Sequence, residues 1–231
     1  MADLFRFKQF SLRNEASALK IGTDAVLLGA AMTILPQDGR MLDIGTGTGV
    51  IALMAAQRSG AQIEAVEIDP ASADEAALNF ADSPWAARLL VSNIALQQYR
   101  PAAGYDLIFS NPPYYDNSLT NPDARETAAR HTESLSYAEI CAFASEHLKP
   151  EGRLSLILPA EAEKMLLRTA ASFGLYPFKL LRVRTTPAKP FRRIVAEFSR
   201  TRGPLSEESL VLQDGNARSC EYSALTAEFY L

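Results

Sequence analysis

The chain is poor in the residues that build disulfide frameworks and metal centres. Of its 231 residues, two are cysteine, two are histidine and one is tryptophan. Cys141 falls in a helical pattern and Cys220 in a polar tail, a placement that suits neither a disulfide framework nor a thiolate site, so no metal is expected. No apolar run approaches the roughly 18 residues of a membrane span. The opening Met1-Ala2-Asp3-Leu4-Phe5-Arg6 lacks the basic-then-apolar layout of a signal peptide. There is no internal repeat and no low-complexity tract. Positive charge is not in general excess either: the formal net charge is −4, so any polyanionic partner requires a locally basic face. These absences point to a cytoplasmic location, with no membrane association and no obligate protein partner.

What remains is an ordinary globular composition, 48% hydrophobic and 22% charged, in a chain long enough for one large core. The most informative stretch is Ser110-Asn111-Pro112-Pro113-Tyr114. It follows the apolar run Tyr105 to Phe109, which reads as a buried strand, and so sits where open α/β sheets bind ligands. Two prolines remove two backbone donors and leave their carbonyls as pure acceptors. Asn111, before a proline, is driven toward an extended shape. The turn therefore offers an amide, a bare carbonyl and a ring, which suits an amino group on a flat acceptor. Asn111 Oδ1 and the Pro112 carbonyl can take its two hydrogens while Tyr114 stacks on the plane.

Upstream, Met41-Leu42-Asp43-Ile44 reads as a strand, Gly45-Thr46-Gly47-Thr48-Gly49 as a glycine-rich turn and Val50 to Arg58 as a helix. This is the fingerprint of a nucleotide cofactor, with helix N–H groups aimed at the ligand. Gly47 to Ala52 also fits the dinucleotide pattern G-x-G-x-x-A. Asp43 ahead of the glycines opposes a pyrophosphate. It suits a cofactor bearing positive charge, such as the sulfonium and ammonium of S-adenosylmethionine. Glu67 ends the next strand about 20 residues past the glycines, where a carboxylate accepts from ribose hydroxyls. Ile68 can pack on an adenine face, Asp69 reads as a helix cap with Pro70 at the first helical position, and Asn93, ending the third strand, can meet the adenine edge.

Residues 1–39 precede the first clear strand and are expected to pack over the cofactor site. Phe5, Phe7 and Phe10 alternate with basic residues, either as an arm for nucleic acid or as rings packed on the core. Thr23 or Asp24 is expected to cap the apolar helix that follows. Residues 40–200 carry the catalytic domain. Within them a polar loop, Tyr115 to Ser134 with Arg125, Arg130 and His131, has the length of a lid or substrate loop. Ser136 and Glu139 form a capping box. From Lys164 through Ala196 there is no Asp or Glu, but there are Lys164, Arg168, Lys179, Arg182, Arg184, Lys189, Arg192 and Arg193. This local basic stretch is the candidate face for RNA. Residues 201–231 read as a tail docked by its aromatics.

Asp43 with the spaced glycines, then Glu67-Ile68-Asp69-Pro70, then Asn111-Pro112-Pro113-Tyr114 resembles the Rossmann-like S-adenosylmethionine-dependent amino-group methyltransferases. The whole chain is similar to the bacterial tRNA1(Val) adenine-37 N6-methyltransferases, through Phe7-Lys8-Gln9-Phe10, the run Lys20 to Ala30, Asn111 to Tyr115, the Ala129-Arg130 context and the ending Tyr222 to Tyr230. The resemblance implies a seven-stranded, mostly parallel sheet with helices on both faces and a reversed last strand. It also implies methyl transfer from S-adenosyl-L-methionine, giving S-adenosyl-L-homocysteine, to N6 of adenosine 37 in tRNA. It places Lys20 and Thr23 near the methionine end of the cofactor, Asp43 and the glycines Gly45, Gly47 and Gly49 under it, and Glu67 on the ribose. Related enzymes usually carry Asp where this chain has Asn93, a departure from the family pattern. Three other readings fit parts of the pattern: a protein glutamine N5-methyltransferase, a nucleotide-dependent oxidoreductase, and a non-catalytic RNA-binding module.

Overall fold

The computed structural model describes residues 4–17, 20–113 and 135–231. A short hairpin, β1 (Phe5–Arg6) and β2 (Ser11–Leu12), precedes helix α1 (Thr23–Ala31). Then come β3 (Arg40–Ile44), α2 (Val50–Arg58), β4 (Gln62–Glu67), α3 (Pro70–Ala81), β5 (Leu89–Asn93) and β6 (Tyr105–Ser110). After the described gap follow α4 (Tyr137–His147), β7 (Leu148–Pro159), α5 (Glu163–Ser172), β8 (Tyr176–Arg184) and β9 (Arg193–Ser199). The chain closes with β10 (Ser206–Val211), a small hairpin of β11 (Gln213–Asp214) and β12 (Ala217–Arg218), and α6 (Cys220–Leu225).

The main sheet runs β10-β8-β9-β7-β6-β3-β4-β5. Strands β3 to β9 form the expected set, and β9 is the reversed one, antiparallel to both β7 and β8. The central strands are apolar on both faces because helices cover both faces. Side chains alternate between two cores: Met41, Leu107, Phe109, Ile157 and Val195 lie on one side, and Leu42, Ile108, Leu156, Leu158 and Ile194 on the other. The first core packs under α1 and α2, the second under α4 and α5. Where α1 crosses α2, a Cβ on Gly29 would lie 2.6 Å from the Met54 sulfur, so only glycine permits that approach.

The structure adds an eighth strand. β10 pairs in parallel with β8 from Ser206↔Lys179 to Val211↔Arg184. Only Leu210 of β10 is buried, so no apolar alternation marks it in sequence; backbone pairing to an open edge makes the strand. Beyond it, Tyr222 and Phe229 are buried, Tyr230 stacks on Phe7 at 5.9 Å, and Lys8 Nζ donates to the Ala227 carbonyl at 2.6 Å. The N-terminal rings take the core option: Phe7 and Phe10 are buried and stacked at 4.7 Å.

Local capping signals mostly hold. Asp69 accepts from the Ser72 N–H with Pro70 in the first turn, and Ser136 and Glu139 complete a reciprocal capping box. The cap of α1 differs from expectation. Gly22 occupies the cap position with no side-chain bond, and neither Thr23 nor Asp24 serves. Asp24 instead binds Arg193 Nε at 2.7 Å, which uses its carboxylate for a contact 169 residues away.

Candidate active site

The sheet reverses its winding between β3 and β6. Successive strands step from β3 through β4 to β5, then return to the other side of β3. Such a switch point opens a crevice at the carboxyl ends of the strands. Here Ile44 lies opposite Ser110, and Ser110 Oγ donates to the Ile44 carbonyl at 2.7 Å. The glycine turn and the Asn-Pro-Pro turn are thereby tied side by side.

The glycine turn is set by its own conformation and by a carboxylate. Gly49 has φ +83 and caps α2, and the Phe80 ring sits 2.5 Å from where its Cβ would be. Gly47 donates its N–H to Glu67 Oε2 at 2.8 Å, while Glu67 Oε1 accepts from Asp69 N–H at 3.1 Å. Glu67 therefore bridges the turn after β3 and the turn after β4. A cavity of about 360 Å³ opens there. Of the residues singled out from sequence, Gly45, Gly47, Glu67, Ile68, Asn111 and Pro113 line it. Ile68 is 46% exposed, an apolar surface offered to a flat ligand. This volume and mixed lining match a small-molecule site.

Other expected residues stand elsewhere. Asp43 is fully buried, with Oδ2 accepting from Thr46 Oγ1 at 2.7 Å and Oδ1 without a partner among the described residues. It lies behind the glycine turn, outside the cavity wall. Asn93 donates its amide to the Glu67 and Ile68 carbonyls at 2.9 and 3.0 Å, which fixes the backbone below the cavity. Lys20 Nζ donates to the Glu15 carbonyl at 2.6 Å, and Thr23 lies exposed in the first turn of α1; neither lines the cavity. Pro112 is buried beside Asn111. Tyr114, Arg125, Arg130 and His131 lie outside the described residues.

The wall also contains residues the sequence reading passes over. Ser17 reaches it from the N-terminal segment. That segment is held by Glu75 of α3, whose carboxylate accepts the N–H groups of Glu15, Ala16 and Ser17 at 2.7 to 2.9 Å. Nothing in residues 14–17 signals this contact. Leu96 and Gln97, in the short turn after β5, also line the cavity. Their position just past a strand end was the available clue.

The buried carboxyl of Asp43 has an electrostatic consequence. Burial, partly offset by the Thr46 hydroxyl and reinforced by the charge of Glu67, pushes it up to about 7 from 3.8. A carboxyl raised on folding adds stability that is fully present below its unfolded value and is lost as pH rises through about 7. The whole effect amounts to about 4 kcal/mol. In thermal melts without ligand, the wild type is expected to lose stability relative to Asp43→Asn as pH rises from about 4 to about 7, and to lose no more above that. Parallel melting curves for the two proteins across that range would contradict the assignment.

The basic stretch changes character on folding. Lys179 meets Glu197 at 3.3 Å, Arg182 binds both Glu163 and Glu207, and Arg193 binds Asp24. Each acid comes from outside the acid-free run. Among the described residues, Lys164, Arg168, Lys189 and Arg192 are exposed and have no ion pair, and Arg184 lies over the Phe191 ring. The candidate RNA residues Arg184, Lys189, Arg192 and Arg193 all lie where β8 and β9 join, at the same end of the sheet as the cavity.

Residues 16–170 match the family model described as Methyltransferase small domain. A solved structure from Agrobacterium tumefaciens, described as a predicted O-methyltransferase, superposes with a TM-score of 0.70 at 17% identity, covering 89% of this chain and 96% of that one. Fold, family model and cavity define a small-domain methyltransferase. Two relatives are more specific. A tRNA1(Val) (adenine(37)-N6)-methyltransferase of Bacteroides fragilis is 42% identical over 98% of this chain and 97% of its own length. One of Flavobacterium psychrophilum is 41% identical over 99% of each. The chain belongs to the family of tRNA1(Val) (adenine(37)-N6)-methyltransferases.

Proposed function

We propose that this protein binds S-adenosyl-L-methionine in the cavity between β3 and β6 and methylates N6 of an adenosine in tRNA, adenosine 37 beside the anticodon of tRNA1(Val), in the cytoplasm. The observation that carries the reading is the pairing of Ile44 with Ser110, which sets the cofactor-type glycine turn against the acceptor-rich Asn-Pro-Pro turn. The donor set fits the cofactor. Glu67 lines the cavity and can accept from ribose hydroxyls, Ile68 and Leu96 offer apolar surface to a flat base, and the orphaned Asp43 Oδ1 leaves an unsatisfied acceptor behind the glycines. The cofactor supplies an electrophilic methyl group and leaves as S-adenosyl-L-homocysteine.

The chain's own residues then do the positioning. An exocyclic adenine nitrogen is a weak nucleophile because its lone pair is delocalised into the ring. Asn111 Oδ1 and the Pro112 carbonyl accept its two hydrogens and favour a pyramidal nitrogen with the lone pair out of plane. As the N–C bond forms, the two oxygens stabilise the positive charge on nitrogen, which afterwards releases one proton to water. Tyr114, outside the described residues, supplies the ring expected to stack on the base. A loop adenosine is already partly unstacked, so turning it into the site costs little. Alignment of this kind contributes up to about 7–11 kcal/mol in well-oriented systems.

The test is mass spectrometry of tRNA nucleosides after incubation with protein and cofactor, beside a release-factor arm for glutamine methylation. N6-methyladenosine at position 37 is the expected product; methylglutamine without it would overturn the reading. For the RNA face, Arg192→Glu is expected to weaken tRNA binding several-fold and to reduce the salt dependence of log Kd by about one phosphate contact. Arg193→Glu instead sets a carboxylate against Asp24 and is expected to lower the melting temperature. Filter binding at two salt concentrations and thermal unfolding separate the two effects.

A further inference from the structure

The loop between β8 and β9 presents an aromatic ring that neither core uses. Phe191 is 37% exposed and belongs to neither hydrophobic cluster. The loop is held rigidly around it. Arg192 N–H donates to the Val183 carbonyl at 2.8 Å, the Arg192 carbonyl accepts from Ala160 N–H at 3.1 Å, and Lys189 N–H closes a turn onto Thr186 at 3.1 Å. Pro187 and Pro190 stiffen the intervening chain. The Arg184 guanidinium lies 5.3 Å from the ring centroid and is itself held by the Pro187 carbonyl at 2.8 Å. Exposed Lys189 and Arg192 flank Phe191 in the chain. A flat apolar surface, backed by a cation and flanked by two more, is the composition of a base-stacking platform on nucleic acid.

Its distance from the acceptor turn follows from the sheet. β9 is two strands from β6, with β7 between them. Ser110 is level with Leu156, and Pro159, three residues further, is opposite Arg193. With strands about 4.8 Å apart and a rise of about 3.3 Å per residue, Phe191 stands roughly 15 Å from Asn111 at the same end of the sheet. Stacked nucleotides advance about 3.4 Å each along a strand, so this span is at most about four stacked nucleotides and fewer unstacked ones.

We propose that Phe191 stacks on an unpaired nucleobase within four positions of the target adenosine, backed by Arg184, and so contributes to the choice of RNA loop. This rests on the tRNA reading above and assigns a second base site to it. Phosphate contacts from Lys189 and Arg192 position the strand; the ring selects loops whose neighbouring base is unstacked.

The test uses full-length protein with an unmodified tRNA1(Val) transcript. Phe191→Ala is expected to raise Kd and KM for the transcript about tenfold, the scale of one base–aromatic stack. Its melting temperature, affinity for S-adenosyl-L-homocysteine and salt dependence of binding stay at wild-type values, and Phe191→Trp restores RNA affinity. Transcripts abasic at each of the four positions on either side of the target identify the partner. At one of them the wild type loses the same factor and Phe191→Ala adds nothing. Unchanged Kd in a folded Phe191→Ala protein, or additive losses at every abasic position, would overturn the assignment. If the wild type binds the transcript but transfers no methyl group, the proposed activity fails while the Kd ratios still decide Phe191. If it does not bind at all, both fail.

Discussion

Asn111→Ala is expected to bind S-adenosyl-L-homocysteine within about threefold of wild type and to lose about a hundredfold or more in the rate of methyl transfer, the scale of removing one preorganised partner of developing charge. On the proposed reading the loss falls on the chemical step, because Asn111 follows Ser110 in the acceptor-rich turn while the glycine turn and Glu67 form another part of the cavity wall. In the proposed mechanism the amide oxygen's bond strengthens as the nitrogen becomes positive, so its removal is expected to affect the transition state more than either bound ligand. Single-turnover transfer with labelled cofactor, beside calorimetry with S-adenosyl-L-homocysteine, checks both halves. Near-wild-type turnover would remove the acceptor turn from the mechanism. A matched loss in cofactor affinity would make Asn111 a cofactor residue instead.

Gly49→Ala is the largest expected effect on folding. Two independent costs meet at this position. The backbone holds φ +83, which an L side chain adopts at a cost of about 1–3 kcal/mol. The new Cβ would also lie 2.5 Å from the Phe80 ring, a fully packed neighbour, for about 1–3 kcal/mol more. Together they amount to roughly 2–6 kcal/mol, or about 5–20 °C in melting temperature for a domain of this size. Gly49→Ala combined with Phe80→Leu is expected to recover the packing part and leave the conformational part. An unchanged melting temperature in the single variant would show that the turn does not need its left-handed residue.

The two positions illustrate what could be read before the chain was folded. Gly49 and Asn111 each carry their meaning locally, through a positive φ at a helix cap and a proline that follows. The cap at Asp69 and the box of Ser136 and Glu139 are of the same kind, because partner and donor lie three residues apart. The cap of α1 misled for the opposite reason. Asp24 has the right chemistry, but a distant guanidinium takes it. The basic run also meets partners that its sequence does not show: Glu163, Glu197, Glu207 and Asp24 pair with three of its eight cations, Lys179, Arg182 and Arg193. Of the cations without an ion pair among the described residues, Arg184 lies over the Phe191 ring, and Lys189 and Arg192 are its near neighbours in the chain; Phe191 itself has no distinguishing local pattern.

Sequence alone therefore determined most strand, turn and helix units and the two turns that line the cavity, since each depends on neighbours within one helical turn or one strand. Only the tertiary structure decided which carboxylate meets which cation, and that Asp43 lies buried behind the cavity. It also showed that Ser17 and the Leu96-Gln97 turn complete the wall and that residues 206–211 extend the sheet. These outcomes depend on which distant segments chain closure brings within a few ångströms, and on backbone pairing that leaves no side-chain signature. The adjacency of Ile44 and Ser110, 66 residues apart, belongs to that second group, and it turns two separate motifs into one site.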